Sequence, residues 1–331
     1  YKLSGRYEFN DWFAVRASYN TGFRAPSLAQ QAYSATTSQL RDVVGNGILV
    51  PLLLKNLQVN SPEAIALGAK PLTPELSKNL SAGFTLTPWR NFALTLDAYQ
   101  IDVDDRIAVT STFSPLDTRL SADGVTTIGK QIQNILVANG LSPEISGQYY
   151  TNAIDTRTRG VDLVVTYKLP TDSYGLFDFS LGYNHNKTEI TGIVANPPQL
   201  AALGNIELFD RSKRAALTES LPKSKVSANA NWSLGRVSAN LRATRFDSFV
   251  TRNATNPAQD RNIDAEWIVD AQVNYDLNEQ VRLSTGVNNL FNKYPTQVDA
   301  PSAALGTNQY SGLAPFGFTG GSWFVRVAYK W

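Results

Sequence analysis

The sequence predicts an all-β protein, a transmembrane antiparallel β-barrel wall of about eleven strands. Three observations lead to this prediction: apolar and polar residues alternate in many short segments, short and long connections follow one another, and tryptophans lie at segment ends. Charged residues make up only 18% of the 331 residues, against about 25% in soluble domains. No run reaches the roughly 18 apolar residues of a transmembrane helix. A membrane-spanning form of this chain would therefore cross with strands.

The alternation has the period of two that a strand with two different faces requires. In residues 13–23 one face begins with Phe13 and Val15, whereas the other begins with Ala14 and Arg16. The eleven predicted strands cover residues 1–10, 13–23, 76–87, 92–98, 160–169, 176–184, 224–234, 236–243, 266–277, 281–288 and 322–331. At Ala98–Tyr99 the apolar phase shifts by one residue, which predicts a β-bulge.

The connections between these strands alternate in length. Short turns fall at 10–12, 88–91, 170–175, 235–236 and 278–280, and long connections at 24–74, 110–151, 192–220, 250–265 and 295–321. Short periplasmic turns opposite long extracellular loops are typical of a transmembrane β-barrel, whereas a sandwich mixes loop lengths at both ends. Within the second long loop, residues 124–140 place Ile128, Ile132, Ile135 and Leu136 at helical spacing and predict a short amphipathic helix.

Two further patterns favour a membrane wall over a soluble sheet. All six tryptophans lie at strand ends or in short turns, where an indole keeps its N–H wet: Trp12, Trp89, Trp232, Trp267, Trp323 and Trp331. The polar faces carry amides and guanidiniums that would each cost several kcal/mol in a dry core. We expect the following polar residues to face the lumen: Arg16, Asn20, Asn184, Asn240, Arg242, Gln272, Arg282 and Asn288. Outer-membrane lipid would then cover the apolar face.

The last segment and the strand parity indicate an incomplete barrel. The final strand ends on alternating apolar residues that resemble the signal read by the outer-membrane barrel assembly machinery: Trp323, Val325, Val327, Tyr329 and Trp331. The first strand precedes a short turn and so starts outside, whereas a complete single-chain barrel has an even strand number and periplasmic termini. We therefore expect the N-terminus to be a cut point, with earlier strands belonging to a longer chain.

Four motifs in order resemble TonB-dependent receptors of the outer membrane. They are YNTGFRAPSL at 19–28, LTPELSKN at 72–79, TRGVD at 158–162 and VNNLFNKY at 287–294. The family more often has Thr at the position of Leu76 and Glu at that of Asp162. Each motif is weak by itself, but the ordered set spans nearly the whole chain.

The resemblance implies a 22-stranded barrel filled by an N-terminal plug that contacts TonB. Residues 1–331 would then be a partial barrel domain, the last eleven strands, with the plug and its TonB-contact segment absent. The implied function is TonB-dependent uptake of a scarce solute (a ferric siderophore, cobalamin or an oligosaccharide) into a Gram-negative cell, with no cofactor and no enzymatic activity. A passive porin and a surface adhesin are the alternatives, and an upstream plug would discriminate among the three.

Candidate ligand contacts are loop arginines and aromatics, which would suit an anionic or aromatic small molecule such as a ferric chelate. They are Arg24, Tyr33, Arg41, Tyr149, Tyr150, Tyr310 and Phe316. Anchoring of the loops and contacts with the lumen wall are the alternative roles for these residues.

Other polar residues have simpler interpretations. The acidic run Asp102, Asp104 and Asp105 fits either a hard cation site or the solvated upper part of a strand. His185 is expected at the rim, and the pair Asn288–Asn289 is expected to be structural. Zero cysteines and a single histidine exclude thiolate and multi-histidine metal sites, and a net charge of +2 gives no reason to expect nucleic acid.

Overall fold

The computed structural model describes residues 1–41, 50–201, 203–204, 206–297 and 309–331. Strands and short helices follow one another along the chain. In chain order they are β1 (Lys2–Asn10), β2 (Phe13–Arg24), α1 (Leu28–Ala32), β3 (Ala35–Arg41), β4 (Val50–Asn56), α2 (Pro62–Ala66), β5 (Glu75–Leu86), β6 (Phe92–Val109), α3 (Ile128–Ala138), β7 (Ser146–Gln148), β8 (Tyr150–Thr171), β9 (Gly175–Ile193), α4 (Pro198–Ala201), α5 (Arg211–Thr218), β10 (Ser224–Leu234), β11 (Val237–Phe246), β12 (Phe249–Thr251), a 3₁₀ turn (Pro257–Gln259), β13 (Arg261–Ile263), β14 (Glu266–Asp276), β15 (Val281–Asn288) and β16 (Ser322–Tyr329).

Eleven strands form one antiparallel sheet, which we call the wall. Its order is β1-β2-β5-β6-β8-β9-β10-β11-β14-β15-β16, so each wall strand pairs with the next one along the chain. The predicted number of strands is confirmed. β1 and β16 stand at the two edges, and within the described residues the sheet does not close into a barrel. This open sheet is the form expected of part of a barrel.

Three wall strands extend well beyond their predicted ends. β6 has 18 residues, β8 has 22 and β9 has 19, whereas β15 and β16 have 8 each. Hydrophobic periodicity did not reveal the extra length, because the apolar face of these strands becomes charged towards the long connections. We call this apolar face the outward face, and we call the end of the wall next to the long connections its upper end. Arg159 pairs with Lys187 and Arg157 with Glu189 at positions that continue the apolar row of Val161.

The β-bulge predicted at Ala98–Tyr99 is wrong. Pairing of β6 with β5 and β8 runs through both residues without a shift, and the register changes only between Val103 and Ile107. Asp105, inside that irregular stretch, has a positive φ of 54°. The apparent phase shift arises because Tyr99, on the polar face, lies over Gly160, which has no Cβ to exclude the ring.

The register divides the wall into two chemically different faces. Across β8, β9, β10 and β11 the partners Val165, Leu181, Ala228 and Ala243 lie in one row on the same face. The intervening residues, such as Asn184 opposite Asp162, lie on the other face. Most buried apolar residues lie outside the wall, and many wall residues of the apolar face are exposed, among them Leu241 at 49% and Val273 at 48%. The wall therefore has no core of its own.

The connections on one side of the wall fold into a second layer, which we call the loop layer. It contains a small sheet of β3, β4 and β7, the hairpin β12–β13, and the five α-helices that the structure describes. Its hydrophobic core gathers residues from three separate long connections and the upper end of β8. These are Leu57, Val59, Ala64, Leu67, Ala69, Phe113, Ile128, Ile132, Leu136, Tyr149, Ala153, Ile154, Leu200, Leu203, Ile206, Leu208 and Phe209.

The helix predicted within 124–140 is confirmed as α3. The Thr127 side chain caps its N-terminus by accepting from the Lys130 N–H at 3.2 Å. Ile132 and Leu136, one turn apart, are fully buried in the loop-layer core. Among the described helices, none has the length and apolar character to cross a membrane.

Candidate functional site

The polar face of the wall carries the eight residues expected in the lumen, and all eight share that face by register. Its charged members form cross-strand ion pairs. Arg16 Nε donates to Asp97 Oδ1 at 2.8 Å, and Arg242 Nη2 donates to Asp270 Oδ2 at 2.8 Å. Arg282 Nε donates to Asp276 Oδ1 at 2.6 Å. Each guanidinium thus neutralises an acid that the sequence analysis did not assign to a site.

The amides of this face are hydrogen-bonded to one another and to neighbouring polar groups. Asn240 Nδ2 donates to Asn231 Oδ1 at 2.7 Å, and Asn184 Nδ2 donates to Asp162 Oδ1 at 2.5 Å. The remaining amide bonds are Asn79 to Asn20 at 2.8 Å, Gln272 to Asn274 at 2.6 Å and Asn288 to Ser322 at 3.4 Å. A wall face satisfied in this way can border water or a polar domain, because no unpaired charge is forced into an apolar medium.

Arg24, a candidate ligand contact, is held by an ion pair at the end of the wall next to the long connections. Its Nε and Nη2 donate to the two oxygens of Glu75 at 2.7 and 2.5 Å. Glu75 Oε1 also accepts the Ile107 N–H at 2.7 Å. The bidentate pair therefore ties together the upper ends of β2, β5 and β6, which favours an anchoring role for Arg24.

Tyr149 is closed to a ligand in this structure. It is 1% exposed, stacks on Phe113 with ring centroids 5.8 Å apart, and donates its hydroxyl to the Leu67 carbonyl at 2.8 Å. Burial raises the pKa of this hydroxyl above its ordinary value. The expectation of a ligand contact at Tyr149 is thus corrected to a core position, because the hydrophobic loop layer encloses the ring.

Of the other candidates from the first loops, the two tyrosines have different surroundings. Tyr150 is half-buried against the loop-layer core. Tyr33 is 54% exposed at the C-terminal end of α1. Arg41 ends β3, and its side chain lies outside the described residues. Of the two described side chains, only Tyr33 has a largely exposed ring.

Two aromatic clusters anchor the last long connection. Tyr310 stacks between Tyr294 and Phe318, with ring centroids 5.6 and 6.4 Å away. Phe316 stacks on Phe246 at 5.8 Å, and the Lys225 ammonium lies 5.3 Å from the Phe246 ring. We call Lys225, Phe246 and Phe316 the rim cluster.

The rim cluster lies on the polar face, at the end of β10 and β11 next to the loops, because Phe246 pairs with Lys225 there. Phe316 was among the candidates predicted from the sequence, whereas Lys225 and Phe246 were not. The sequence did contain a signal for this site, because Phe246 is an aromatic residue on the otherwise polar face of β11, at the end of the strand next to the loops. A cation over an aromatic ring beside a second ring is a surface that suits anionic or aromatic ligands.

Basic side chains of the protein form ion pairs with the acidic run of β6. Arg157 Nε donates to Asp102 Oδ1 at 2.5 Å, and Lys78 Nζ donates to Asp104 Oδ2 at 3.0 Å. In the part of the chain that the structure describes, no group of three or more His, Asp or Glu side chains could hold a metal ion. The geometry thus favours the solvated upper strand over the cation site.

The structure also shows the surroundings of His185 and Asn289. His185 is exposed on the outward face of β9, opposite Val161 and Ser224. Asn289 Oδ1 accepts the Lys293 N–H at 2.9 Å and its Nδ2 donates to the Lys293 carbonyl at 2.7 Å, which closes the turn after β15.

The wall, its two faces and its one-sided long loops define an outer-membrane β-barrel protein. The family model "TonB dependent receptor-like, beta-barrel" matches residues 1–290, and the chain belongs to that family. Family members lie in the outer membrane of Gram-negative bacteria, and so does this chain. A search of curated protein sequences finds no match.

Solved structures with the same fold are similar to the chain over almost its full length. The siderophore receptor PirA from Acinetobacter baumannii has 14% identity and a TM-score of 0.58, covering 99% of this chain and 40% of its own. The ferric enterobactin receptor PfeA from Pseudomonas aeruginosa has 14% identity and a TM-score of 0.58, with 99% and 39% covered. The FrpB iron transporter from Neisseria meningitidis has 13% identity and a TM-score of 0.56, with 99% and 38% covered. The chain thus spans about two fifths of these proteins.

Proposed function

We propose that this chain is the C-terminal part of a receptor that imports a scarce, bulky solute across the outer membrane, driven by TonB. The observation that carries the proposal is the combination of a polar wall face, whose arginines and amides pair with one another and with carboxylates, and a loop layer that has its own hydrophobic core. A wide polar interior can hold a plug domain, and a rigid outer layer can hold a ligand before import. The plug and its TonB-contact segment would belong to the rest of the longer protein.

The solute class that the rim cluster fits best is a ferric siderophore. Lys225 supplies an exposed positive charge, and Phe246 and Phe316 supply stacked rings within 5.8 Å. Many metal chelates are anionic and carry aromatic groups, and such molecules bind cations and ring faces together. The names of PirA, PfeA and FrpB refer to siderophores or iron, and OprC is a copper transporter of the same fold. Cobalamin and oligosaccharides are the other solutes to be tested.

The experiment uses the full-length protein in its own host. A strain lacking the gene is grown with defined ferric siderophores, cobalamin or oligosaccharides as the only source of iron, cobalamin or carbon. We expect growth on one siderophore to need both this gene and a functional TonB. Two results would contradict the proposal and favour a passive porin. One is growth of the deletion strain on every siderophore, and the other is uptake that persists without TonB. Normal uptake with lost attachment to surfaces would favour an adhesin.

Variants of the rim cluster test the ligand class. Lys225→Gln and Phe316→Ala are each expected to weaken siderophore binding by about fivefold, because each removes a cation–π or stacking contact of about 1 kcal/mol. Phe318→Ala is the matched control, since Phe318 belongs to the separate stack on Tyr310. Equal binding by all three variants would exclude the rim cluster as the site.

The proposed partner for assembly is the barrel assembly machinery, which would read the last strand. Trp323, Val325, Val327 and Tyr329 are 58–78% exposed on the outward face of β16, and Trp331 follows at 99%. We expect Trp331→Ala to lower the fraction of folded receptor in the outer membrane, measured by heat-modifiable electrophoretic mobility. Wild-type mobility and abundance in that variant would contradict the assignment.

A further inference from the structure

Two aromatic side chains of the polar face lie directly over a glycine of the neighbouring strand. Tyr99 on β6 is the direct partner of Gly160 on β8, and Phe324 on β16 is the direct partner of Gly286 on β15. A Cβ atom at Gly160 would overlap the Tyr99 ring, and a Cβ atom at Gly286 would lie 2.6 Å from Phe324 Cζ. Neither glycine has a positive φ, so the backbone conformation does not require one there. We call these two pairs the glycine seats.

Both glycine seats join strands that are separated by a long connection. β6 and β8 are linked by residues 110–149, and β15 and β16 by residues 289–321. In a hairpin with a tight turn, the turn fixes which residues face each other, but a long connection does not. The register between these strands must therefore be set by contacts between their side chains.

The alternation of the wall does not select the register of β6 against β8. A slip by one residue would exchange the two faces, but a slip by two leaves every apolar residue on the outward face. Leu96 of β6 faces Leu163 of β8 in the structure. After a slip by two residues it would face Val161 or Val165, which are also apolar. The outward face is therefore compatible with all three registers.

The charges of the polar face do not favour the observed register either. Asp97 of β6 and Asp162 of β8 are direct partners, and like charges in that position repel each other. Arg16 pairs with Asp97, whereas Asp162 accepts from the neutral Asn184 amide at 2.5 Å. A slip by two residues would move the two carboxylates apart. Another contact must therefore hold the observed register.

We infer that the two glycine seats set the register of β6 against β8 and of β15 against β16. The Tyr99 ring fits where the opposite strand has no Cβ, and a slip by two residues would bring it against Thr158 or Asp162. Phe324 would in the same way meet a longer side chain in place of its glycine. Both rings are positioning residues, since they act by holding two strands in line. The inference concerns the wall alone and is independent of the imported solute.

The register of β6 against β8 also decides whether the loop layer can form. A slip by two residues would move the strands before β8 by about 7 Å along it, because a strand rises about 3.4 Å per residue. Leu67 lies before β6 and Tyr149 after it, and the Tyr149 hydroxyl donates to the Leu67 carbonyl at 2.8 Å in the loop-layer core. A slipped wall would separate these two residues.

Engineered disulfides in the full-length receptor report the register in outer membranes. Ala98→Cys with Val161→Cys joins direct partners on the outward face and reports the observed register. Ala98→Cys with Leu163→Cys, or with Arg159→Cys, reports a slip by two residues in either direction. After mild oxidation, the ratio of slipped to native disulfide is measured by electrophoretic mobility and mass spectrometry. With no further substitution we expect the native disulfide alone.

Variants of the first seat are compared with matched controls in these backgrounds. Tyr99→Ala empties the seat and Gly160→Ala obstructs it, so each should raise the slipped-to-native ratio at least fivefold, equivalent to about 1 kcal/mol. Tyr99→Phe keeps the ring and should leave the ratio unchanged. Tyr167→Ala removes a ring of β8 that faces Phe92 and no glycine, and Gly182→Ala adds a methyl group where the neighbouring space is open. Both controls should also leave the ratio unchanged.

Two results at the first seat would overturn the inference. One is an unchanged ratio in both Tyr99→Ala and Gly160→Ala. The other is an equal rise in Tyr99→Phe and Tyr99→Ala, because the hydroxyl and not the seated ring would then set the register.

The second seat decides the question if Tyr99→Ala does not reach the outer membrane. Phe324→Leu removes the flat ring over the glycine of β15. It should raise the ratio of the slipped disulfide, Thr285→Cys with Val327→Cys, to the native one, Thr285→Cys with Val325→Cys. An unchanged ratio there would overturn the inference.

Discussion

The wall and the loop layer are built from the same chain but solve opposite packing problems. In the loop layer, Phe113, Ile132 and Leu136 are 0% exposed and contact other protein groups on all sides. In the wall, apolar side chains such as Leu241 and Val273 remain about half exposed at the surface of a single sheet. The first region has a core like that of a soluble domain, whereas the second leaves its apolar face to the lipid.

This difference shows that the two regions depend on different solvents. Lipid tails are as apolar as leucine, so the outward face of the wall gains little from burial against protein and depends on its hydrogen-bonded ladder. The loop layer stands in water, where burying apolar surface is the dominant stabilising contribution. Mutations of the same type should therefore have unequal effects in the two regions.

The largest expected effect is a cavity in the loop layer. Leu136→Ala should lower the free energy of unfolding of this layer by about 2–5 kcal/mol, because a fully buried leucine leaves a cavity when it is truncated. Leu241→Ala in the wall should cost less than about 1 kcal/mol, since lipid fills the vacated space. Hydrogen exchange of the full-length receptor in lipid nanodiscs measures both. Equal losses of protection would contradict the contrast between the regions.

The second effect separates the two faces of the wall within adjacent residues. Ala271, in the middle of β14, pairs on the outward face with Leu241 and Val287, whereas Gln272 lies on the polar face. Ala271→Arg should destabilise the folded receptor by about 2–4 kcal/mol, because a lipid-facing arginine at mid-membrane depth loses its hydration. Gln272→Arg should have an effect close to zero. Denaturant-dependent folding into lipid vesicles, followed by heat-modifiable mobility, measures both, and similar losses would show that the faces are assigned incorrectly.

A smaller effect is expected from a single buried hydrogen bond of the loop layer. Tyr149→Phe removes the hydroxyl that donates to the Leu67 carbonyl at 2.8 Å. The loop layer should lose about 1 kcal/mol, because the buried carbonyl loses its donor while the ring stays in place. Tyr33→Phe is the control, since that ring is exposed. Hydrogen exchange near residues 64–69 should rise in the first variant alone, and no change there would contradict the role given to Tyr149.

The smallest effect is a pH dependence at the junction of two outer connections. Asp260 accepts from Arg211 Nη2 at 2.6 Å, from Arg252 Nη1 at 2.9 Å and from the Asn253 N–H at 3.0 Å. Burial raises the pKa of Asp260, but the hydrogen bonds from Arg211, Asn253 and Arg252 outweigh it and hold that pKa below its ordinary value.

A carboxyl with a lowered pKa stabilises the fold above its unfolded-state pKa of about 4 and loses that contribution as the pH falls further. Hydrogen exchange at residues 252–261, corrected for the intrinsic rate, should therefore be faster in Asp260→Asn than in the wild type at pH 6. The difference should shrink at about pH 3. A difference that stays constant with pH would contradict the ionic role of Asp260.

The wall could be predicted from the sequence because its physics is local. A strand between lipid and a polar interior must alternate apolar and polar residues. The period is therefore visible in the sequence around Arg16 and around Gln272, even when the neighbouring strands are not known. The prediction failed where one face changed character. The upper parts of β8 and β9 remain strands, but Arg159 and Lys187 continue the row of Val161, and the apolar signal ends there.

The candidate site was less predictable because it depends on which loop lies against which strand. Phe316 was identifiable as a loop aromatic, but its neighbours Phe246 and Lys225 belong to strands more than 60 residues earlier in the chain. Tyr149 and Tyr150 are adjacent in sequence and had the same expected role, yet only the fold decides that Tyr149 is 1% exposed.

By itself, the sequence of this protein determined the number of wall strands, the alternation of their faces and the side on which the long loops lie. These features follow from interactions between a residue and its solvent, which are encoded position by position. Only the tertiary structure decided that residues from three separate connections form the loop-layer core, and that two rings of the polar face lie over glycines of the neighbouring strands. Both depend on contacts between distant segments, where the shape of one side chain has meaning only beside its partner.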